Sequence, residues 1–311
     1  HAALLPRMLR SILSRPGGPA CNEVVIGWNG SDDETFLKSI REILALDSVI
    51  PPDRLALPDR LPEIGTPYRA VLCLPAGASN GGGHVTQVYF VIHRQRWTND
   101  FAAARQENFE LASGEWRGYI DCDDTLALPD DPRVKESIES DADNGAPRFQ
   151  TLPPLSLPLW LQALPLFVNC VIAPYHYVDS DTHRPIIRKR RPRIVRWDRW
   201  WTWVEPVHEV LRHALDREIR VHAPGIVFVH DPVLTQAQRG ERNYEILAKR
   251  VAVMRERGEQ PTPQVGYGLA TAAFDEGDYE AAAKAYEEIA PRAPDAEERL
   301  AYWLYAGSAY I

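Results

Sequence analysis

The chain has 311 residues, 45% of them hydrophobic and 25% charged, with a formal net charge of −8 at pH 7. This composition excludes a wholly disordered, collagen-like or coiled-coil chain, and the acidic balance argues against a general nucleic-acid binder. The length accommodates about two domains and a sizeable buried core. The four cysteines, Cys21, Cys73, Cys122 and Cys170, are far apart and form no Cys-x-x-Cys pair. They speak against a zinc ribbon or disulfide framework and for a reducing, cytoplasmic compartment. The most apolar stretch, 152–174, carries five prolines, which rules out a membrane-spanning helix there.

Leu4, Leu5, Met8, Leu9, Ile12 and Leu13 recur at helical spacing and predict an amphipathic first helix. Residues 23–28 predict a strand, 29–33 a polar turn and 34–46 a helix, the rhythm of an α/β domain with a mostly parallel central sheet. A proline-rich loop over 51–68 leads to strands at 68–74 and 85–92, joined through the glycine-rich 77–83. That loop lacks the Lys-Ser/Thr ending of a phosphate-binding loop and reads as a flexible connection. A helix over 99–113 ends at Gly114, and a short strand over 116–120 delivers Asp121-Cys122-Asp123-Asp124 at its carboxyl end. Farther on, 135–141 reads as helical, 167–173 and 186–197 as strands, 209–216 as a helical turn or two, 219–230 as a last strand and 236–257 as a long helix.

The C-terminal 50 residues are rich in Ala, Glu and Tyr. In a 34-residue frame from Pro263, Leu269, Ala270, Ala282, Tyr286 and Pro294 fall where a tetratricopeptide repeat places its packing residues. Residues 297–311 begin another helix. One repeat cannot bury its own face, so further repeats are expected beyond Ile311, and a start at His1 rather than Met suggests missing sequence there too.

Three segments carry chemistry. Clustered carboxylates at a strand end of an α/β sheet sit where such sheets bind ligands, and as hard oxygen donors they suit Mn²⁺ or Mg²⁺. The bland alternative for Asp121–Asp124 is a solvated acidic turn. His208-Glu209 offers a metal or diphosphate ligand beside a general base; its bland alternative is the start of a helix. Residues 184–199 hold seven arginines and one lysine against one aspartate, and Trp197, Trp200, Trp201 and Trp203 follow. That segment suits phosphate contacts and stacking, on nucleic acid or on a diphosphate donor. Its bland alternative, preferred for most of the arginines, is a solvated strand face.

The run Trp97-Thr98-Asn99-Asp100-Phe101-Ala102-Ala103-Ala104-Arg105-Gln106, then Ala112-Ser113-Gly114-Glu115-Trp116, then the acidic cluster, resembles the family-2 glycosyltransferases. The likeness is to the branch containing lipooligosaccharide core glucosyltransferases and peptide-modifying glycosyltransferases. Gly30-Ser31-Asp32-Asp33-Glu34-Thr35, His208-Glu209, His230 and 242–247 follow in that family's order. Trp28, where the family usually carries Asp, and Gln106, where it carries Asn, depart from it.

The resemblance implies a GT-A-like nucleotide-sugar-binding domain over 1–235, a connecting helix over 236–262 and a helical, tetratricopeptide-like segment over 263–311. It implies inverting transfer of a sugar from a UDP- or GDP-sugar to a peptide, protein or glycan. Asp123, Asp121 and His208 would hold Mn²⁺ or Mg²⁺. Asp33, Asp100, Arg105 and Asp121 would contact the donor, and Glu209 with His208 would carry the chemistry. Two rival expectations are a nucleic acid as acceptor, held by 184–203, and a non-catalytic scaffold built on a decayed transferase domain.

Overall fold

A computed structural model describes residues 4–13, 19–47, 60–61, 63–75, 85–127, 130–136, 157–179, 182, 184–207, 209–223, 225–232, 236–293 and 296–310. The chain forms two compact units. The first comprises His1–Arg96, Gln106–Thr202 and Arg212–Pro232; the second comprises Trp97–Arg105, Trp203–Leu211 and Val233–Ile311.

In the first unit, α1 (Leu5–Leu13) buries Leu5, Met8, Leu9, Ile12 and Leu13, the stripe its spacing predicts. Strand β1 (Glu23–Trp28) buries Val24 and Ile26, alternate residues on one face. It leads into α2 (Asp33–Asp47), where Asp32 caps the first turn by accepting from the Thr35 amide at 2.9 Å. Strand β2 (Tyr68–Pro75) and β3 (Val85–Arg94) complete a sheet of order β1-β3-β2, with β1 parallel and β2 antiparallel to β3. Helix α3 (Phe101–Leu111) follows, its first residues belonging to the second unit.

A second sheet holds β4 (Trp116–Gly118), β5 (Asp124–Leu126), β6 (Cys170–Val178), β7 (Pro185–Arg196), β10 (Arg220–His222) and β11 (Phe228–His230). Its order is β4-β7-β6-β11-β5, with β10 also pairing β6. Central β6 is buried everywhere except at Tyr177, which is why its sequence is a near-continuous apolar run. Helix α4 (Leu157–Ala163) precedes it and buries Trp160 and Leu161. Strands β8 (Trp201–Val204) and β9 (Val210–His213) form a separate two-stranded sheet.

Several expectations change. The two larger sheets are mixed rather than mostly parallel: among the described residues, three of their strand pairs are parallel and four antiparallel. The stretch 209–216, expected helical, is strand β9 followed by a turn closed by Asp216 N–H to the His213 carbonyl at 2.9 Å. The single strand expected over 219–230 is split by a turn in which Ile226 N–H reaches the Ala223 carbonyl at 3.0 Å. The two pieces, β10 and β11, pair in tandem with successive segments of β6. Residues 132–136 are helical; the rest of the helix expected over 135–141 and the glycine-rich 77–83 lie outside the described residues. No helix among the described residues is long and apolar enough to cross a membrane.

The second unit carries α5 (Gln236–Glu256), α6 (Pro263–Glu276), α7 (Tyr279–Ile289), a 3₁₀ turn (Ala290–Arg292) and α8 (Ala296–Ala309), each helix packed on the next. Thr262 and Asp278 cap α6 and α7, and Gly277 ends α6 in the left-handed region at φ 95°. The core is small and aromatic: Ala270, Ala273, Ala282, Ala283 and Ala306 let the helices approach around Tyr267, Tyr286, Tyr302 and Tyr305.

Candidate metal centre

The acidic cluster lies in a tight turn between β4 and β5. Asp124 N–H donates to the Asp121 carbonyl at 2.9 Å, and Asp124 opens β5. Antiparallel pairing sets Asp124 opposite His230 at the end of β11, while parallel pairing sets His230 beside Tyr177 of β6. Asp123, Asp124 and His230 therefore converge, with ligand atoms all within 4.8 Å of one another.

The three have different duties. Asp124 is 0% exposed and its carboxylate accepts from Tyr175 Oη at 2.9 Å and from His230 Nδ1 at 2.9 Å. An ionised carboxylate can only accept, so Nδ1 carries the proton and Nε2 holds the lone pair. That is the arrangement by which a carboxylate orients a metal-ligating histidine. The second oxygen of Asp124 faces Arg193 Nη1 at 3.5 Å. The Arg193 side chain is 1% exposed, with its guanidinium 3.9 Å from the Tyr175 ring centroid, 4.3 Å from that of Tyr119 and 5.0 Å from that of Phe228. Burial opposes its charge, but Tyr119, Asp124, Tyr175 and Asp121 hold its pKa above the ordinary arginine value. Burial, reinforced by Asp124, also raises the pKa of Tyr175, so it stays a phenol and a donor.

Asp123 is the carboxylate of the three that a cation could reach from solvent. Its side chain is 24% exposed, and Oδ1 lies 3.8 Å from His230 Nδ1. Burial raises its pKa; His230 opposes the rise, while Asp121 and Asp124 add to it. A cation would relieve that crowding of negative charge. Asp121 is close enough to act on Asp123 in this way, yet its carboxylate is not in the three-residue group. Asp124, which sequence reasoning left without a role, takes that place because its side chain turns inward on β5. Cys122, between the two aspartates, stays a thiol rather than a thiolate ligand: burial, then Asp123 and Asp121, push it up to about 11.

Helix α1 braces the turn. Arg7 pairs with Asp231 at 2.5 Å and also donates to the Asp123 carbonyl at 3.2 Å, which accepts from the Asp231 amide as well, at 3.1 Å. Ser11 Oγ accepts from Leu126 N–H at 3.0 Å. Nothing in the spacing of Arg7 or Ser11 announces these contacts.

The other expected residues fall elsewhere. Asp33, at the start of α2, pairs with Arg94 at the end of β3 and accepts from the Trp28 indole at 3.1 Å. Trp28 also stacks on Phe36, with centroids 4.5 Å apart. The residue that departs from the resembled family thus holds Asp33 in place. Asp33 and Arg94 edge an open groove of about 940 Å³, with Arg60, Glu63 and Tyr68.

In the second unit, Asp100 caps α3, accepting from Ala103 N–H at 2.9 Å. Arg105 donates from Nε to Glu209 at 2.7 Å, with both side chains under one-fifth exposed. The Arg105 guanidinium lies 5.2 Å from the Trp203 ring centroid. The expected donor contact and the expected base are therefore partners of each other. Glu209 precedes a strand, not a helix, so its bland reading as a helix-start acid is withdrawn. His208 lies outside the described residues. Asn99 and Glu205 both adopt left-handed backbone, at φ 58° and 70°, in the segments that flank this pair.

Three arginines of the basic segment are ion-paired: Arg188 to Glu136 at 2.7 Å, Arg193 to Asp124 and Arg196 to Glu115 at 2.9 Å. Trp201 and Trp203 are buried, whereas Trp200 is exposed. No protein-family model matches this chain, and no curated protein matches it either.

Proposed function

We propose that the chain is a metal-dependent glycosyltransferase that moves a sugar, with inversion, from a UDP- or GDP-sugar to a peptide, protein or glycan. The observation that carries this reading is the group Asp123–Asp124–His230 at a strand end of a mixed α/β unit. It is joined to the resemblance over 97–124. Asp123 and His230 of that group are the residues suited to Mn²⁺ or Mg²⁺. Such an ion supplies charge neutralisation for a departing nucleoside diphosphate.

The chain's own groups do the rest. Asp124 accepts from His230 Nδ1 and so orients the ring, and Arg193 and Tyr175 hold the Asp124 carboxylate in place. Asp33 and Arg94 offer polar contacts to the donor. Glu209, in the second unit, is the general base that the resemblance implies for the acceptor hydroxyl. Arg105 positions the Glu209 carboxylate through their 2.7 Å contact. The helices from Pro263 onward act as a tetratricopeptide-like surface for a large acceptor. A cytoplasmic setting suits this chemistry and the free thiols of Cys21, Cys122 and Cys170.

A second reading, a non-catalytic scaffold, is favoured by one observation: Arg105 with Glu209, and Arg94 with Asp33, already satisfy each other. Hydrolysis of UDP- and GDP-sugars by the intact chain with Mn²⁺ separates the two. Turnover that disappears in Asp123→Ala supports the transferase. No turnover of any donor, or turnover unchanged in Asp123→Ala, overturns the proposed metal-dependent transfer.

A further inference from the structure

Strand β7 changes character along its length. Arg193, Ile194 and Val195 are buried, whereas residues 186–190 are exposed. Its antiparallel register with β6 sets Arg191 opposite Ala173, Lys189 opposite Tyr175 and Ile187 opposite Tyr177. Directly paired residues project from the same face of a sheet. The registers of β11 with β6 and with β5 extend that face through His230 to Asp124. Lys189 and Arg191 thus share a sheet face with Tyr175, Tyr177 and the candidate metal ligands. Arg188 and Arg190 alternate to the opposite face, where Arg188 meets Glu136.

The contacts agree with the registers. Lys189 Nζ lies 5.8 Å from the Tyr177 ring centroid. The Arg191 guanidinium lies 5.4 Å from that of Tyr175 and donates from Nη2 to Tyr177 Oη at 3.2 Å. The Tyr177 ring stands edge-on to His230, with centroids 5.0 Å apart. Among the described residues, no carboxylate lies within ion-pair distance of Lys189 or Arg191, in contrast to Arg188, Arg193 and Arg196. Burial and the neighbouring Arg191 charge lower the pKa of Lys189. Two like charges are therefore held side by side on a tyrosine floor, with no anion of the described residues between them.

We propose that Lys189 and Arg191, with the hydroxyl of Tyr177, form a subsite for a phosphoryl group carried by the acceptor. A phosphomonoester bears about −1.5 to −2 charges at pH 7 and so matches both cations, whereas a carboxylate would leave one uncompensated. The guanidinium fork and the lysine ammonium give directed and point-charge contacts to phosphoryl oxygens. Tyr177 separates the pair from His230, so the subsite lies beside the candidate metal ligands rather than on them. As an acceptor subsite it rests on the transfer reading above; as a phosphoryl site it does not.

The test is binding by the intact chain without added metal, using glucose 6-phosphate and UDP as separate probes in ³¹P NMR titrations. The variant Lys189→Ala/Arg191→Ala is compared with Arg188→Ala/Arg190→Ala, which removes the same charge from the opposite face. The expected result is glucose 6-phosphate binding weakened tenfold or more in the first variant only, with UDP binding unchanged. Lys189→Glu, at an exposed position, repeats the loss without touching the Arg191–Tyr177 hydrogen bond. No glucose 6-phosphate binding by the unmodified chain, binding unchanged in the first variant, or equal weakening in both variants overturns the subsite. Weakened UDP binding in the first variant assigns the pair to the donor and overturns it as well. No transfer is measured, so failure of the transferase reading leaves this outcome legible.

Discussion

His230 donates its Nδ1 proton to the buried carboxylate of Asp124 across 2.9 Å, joining the end of β11 to the start of β5. This bond leaves Nε2 as the ring nitrogen with a lone pair, and it separates the duties of two adjacent aspartates. Asp123 is available to an ion, and Asp124 is committed to the fold.

The separation is measurable. Asp123→Asn is expected to keep the unfolding free energy within about 0.5 kcal/mol, as at an uncommitted position, and to lose Mn²⁺ binding followed by electron paramagnetic resonance. Asp124→Ala strands a buried guanidinium and is expected to cost about 3–5 kcal/mol. Equal destabilisation in urea by both substitutions counts against the assignment.

Arg193 tests the same network from the other side. Arg193→Met keeps much of the side-chain volume but removes the cation from the rings of Tyr119, Tyr175 and Phe228. A buried Asp124 then loses its counter-charge, at a cost of about 3–5 kcal/mol. In Arg193→Met/Asp124→Leu both charges are gone, and much of the loss is expected to return. A double variant as unstable as the sum of the two singles shows that the charges do not couple.

The Arg105–Glu209 pair distinguishes a base from a brace. If Glu209 acts as the base, Glu209→Gln lowers transfer by about 10²–10⁴-fold. It also retains donor affinity and most stability, because the amide oxygen still accepts from Arg105. A thermal shift of several degrees with unchanged turnover identifies a structural ion pair only.

Gly240 in α5 sits where an added Cβ would meet the Glu276 backbone nitrogen at 2.8 Å. Backbone cannot step aside as a side chain can, so Gly240→Ala should destabilise the second unit by about 1–3 kcal/mol despite alanine's better helix propensity. Unchanged unfolding of the helical signal would falsify that close approach.

His176, buried on β6, has its pKa lowered from 6.5, chiefly by burial and then by Arg188. The unfolded chain takes up a proton as pH falls through 6.5, while the folded chain does not. The stabilising contribution is thus present above that pH and is lost progressively below it, towards the folded pKa. Calorimetry should show a smaller loss of thermal stability between about pH 7.5 and 5.5, roughly one unit either side of the ordinary histidine value, in His176→Gln than in the unmodified chain. Parallel declines would remove His176 from the account.

Local sequence determined a good part of this protein. The 3.6-residue stripe of α1, the alternation of β1, the cap signals of α6 and α7 and the acidic turn after β4 all follow from neighbours along the chain. Apolar periodicity and turn chemistry are local properties, so they are legible without a fold. Long-range pairing decided the rest. Strand β9 looked helical because four residues are too few to display a period, and its pairing with β8 settles its state. Asp121 and Asp124 are chemically alike in sequence, but the inward turn of β5 buries one and not the other. His230 meets Asp124 across 106 positions, and Arg105 meets Glu209 across 104. Those contacts are enforced by register and packing, which no window of the sequence contains.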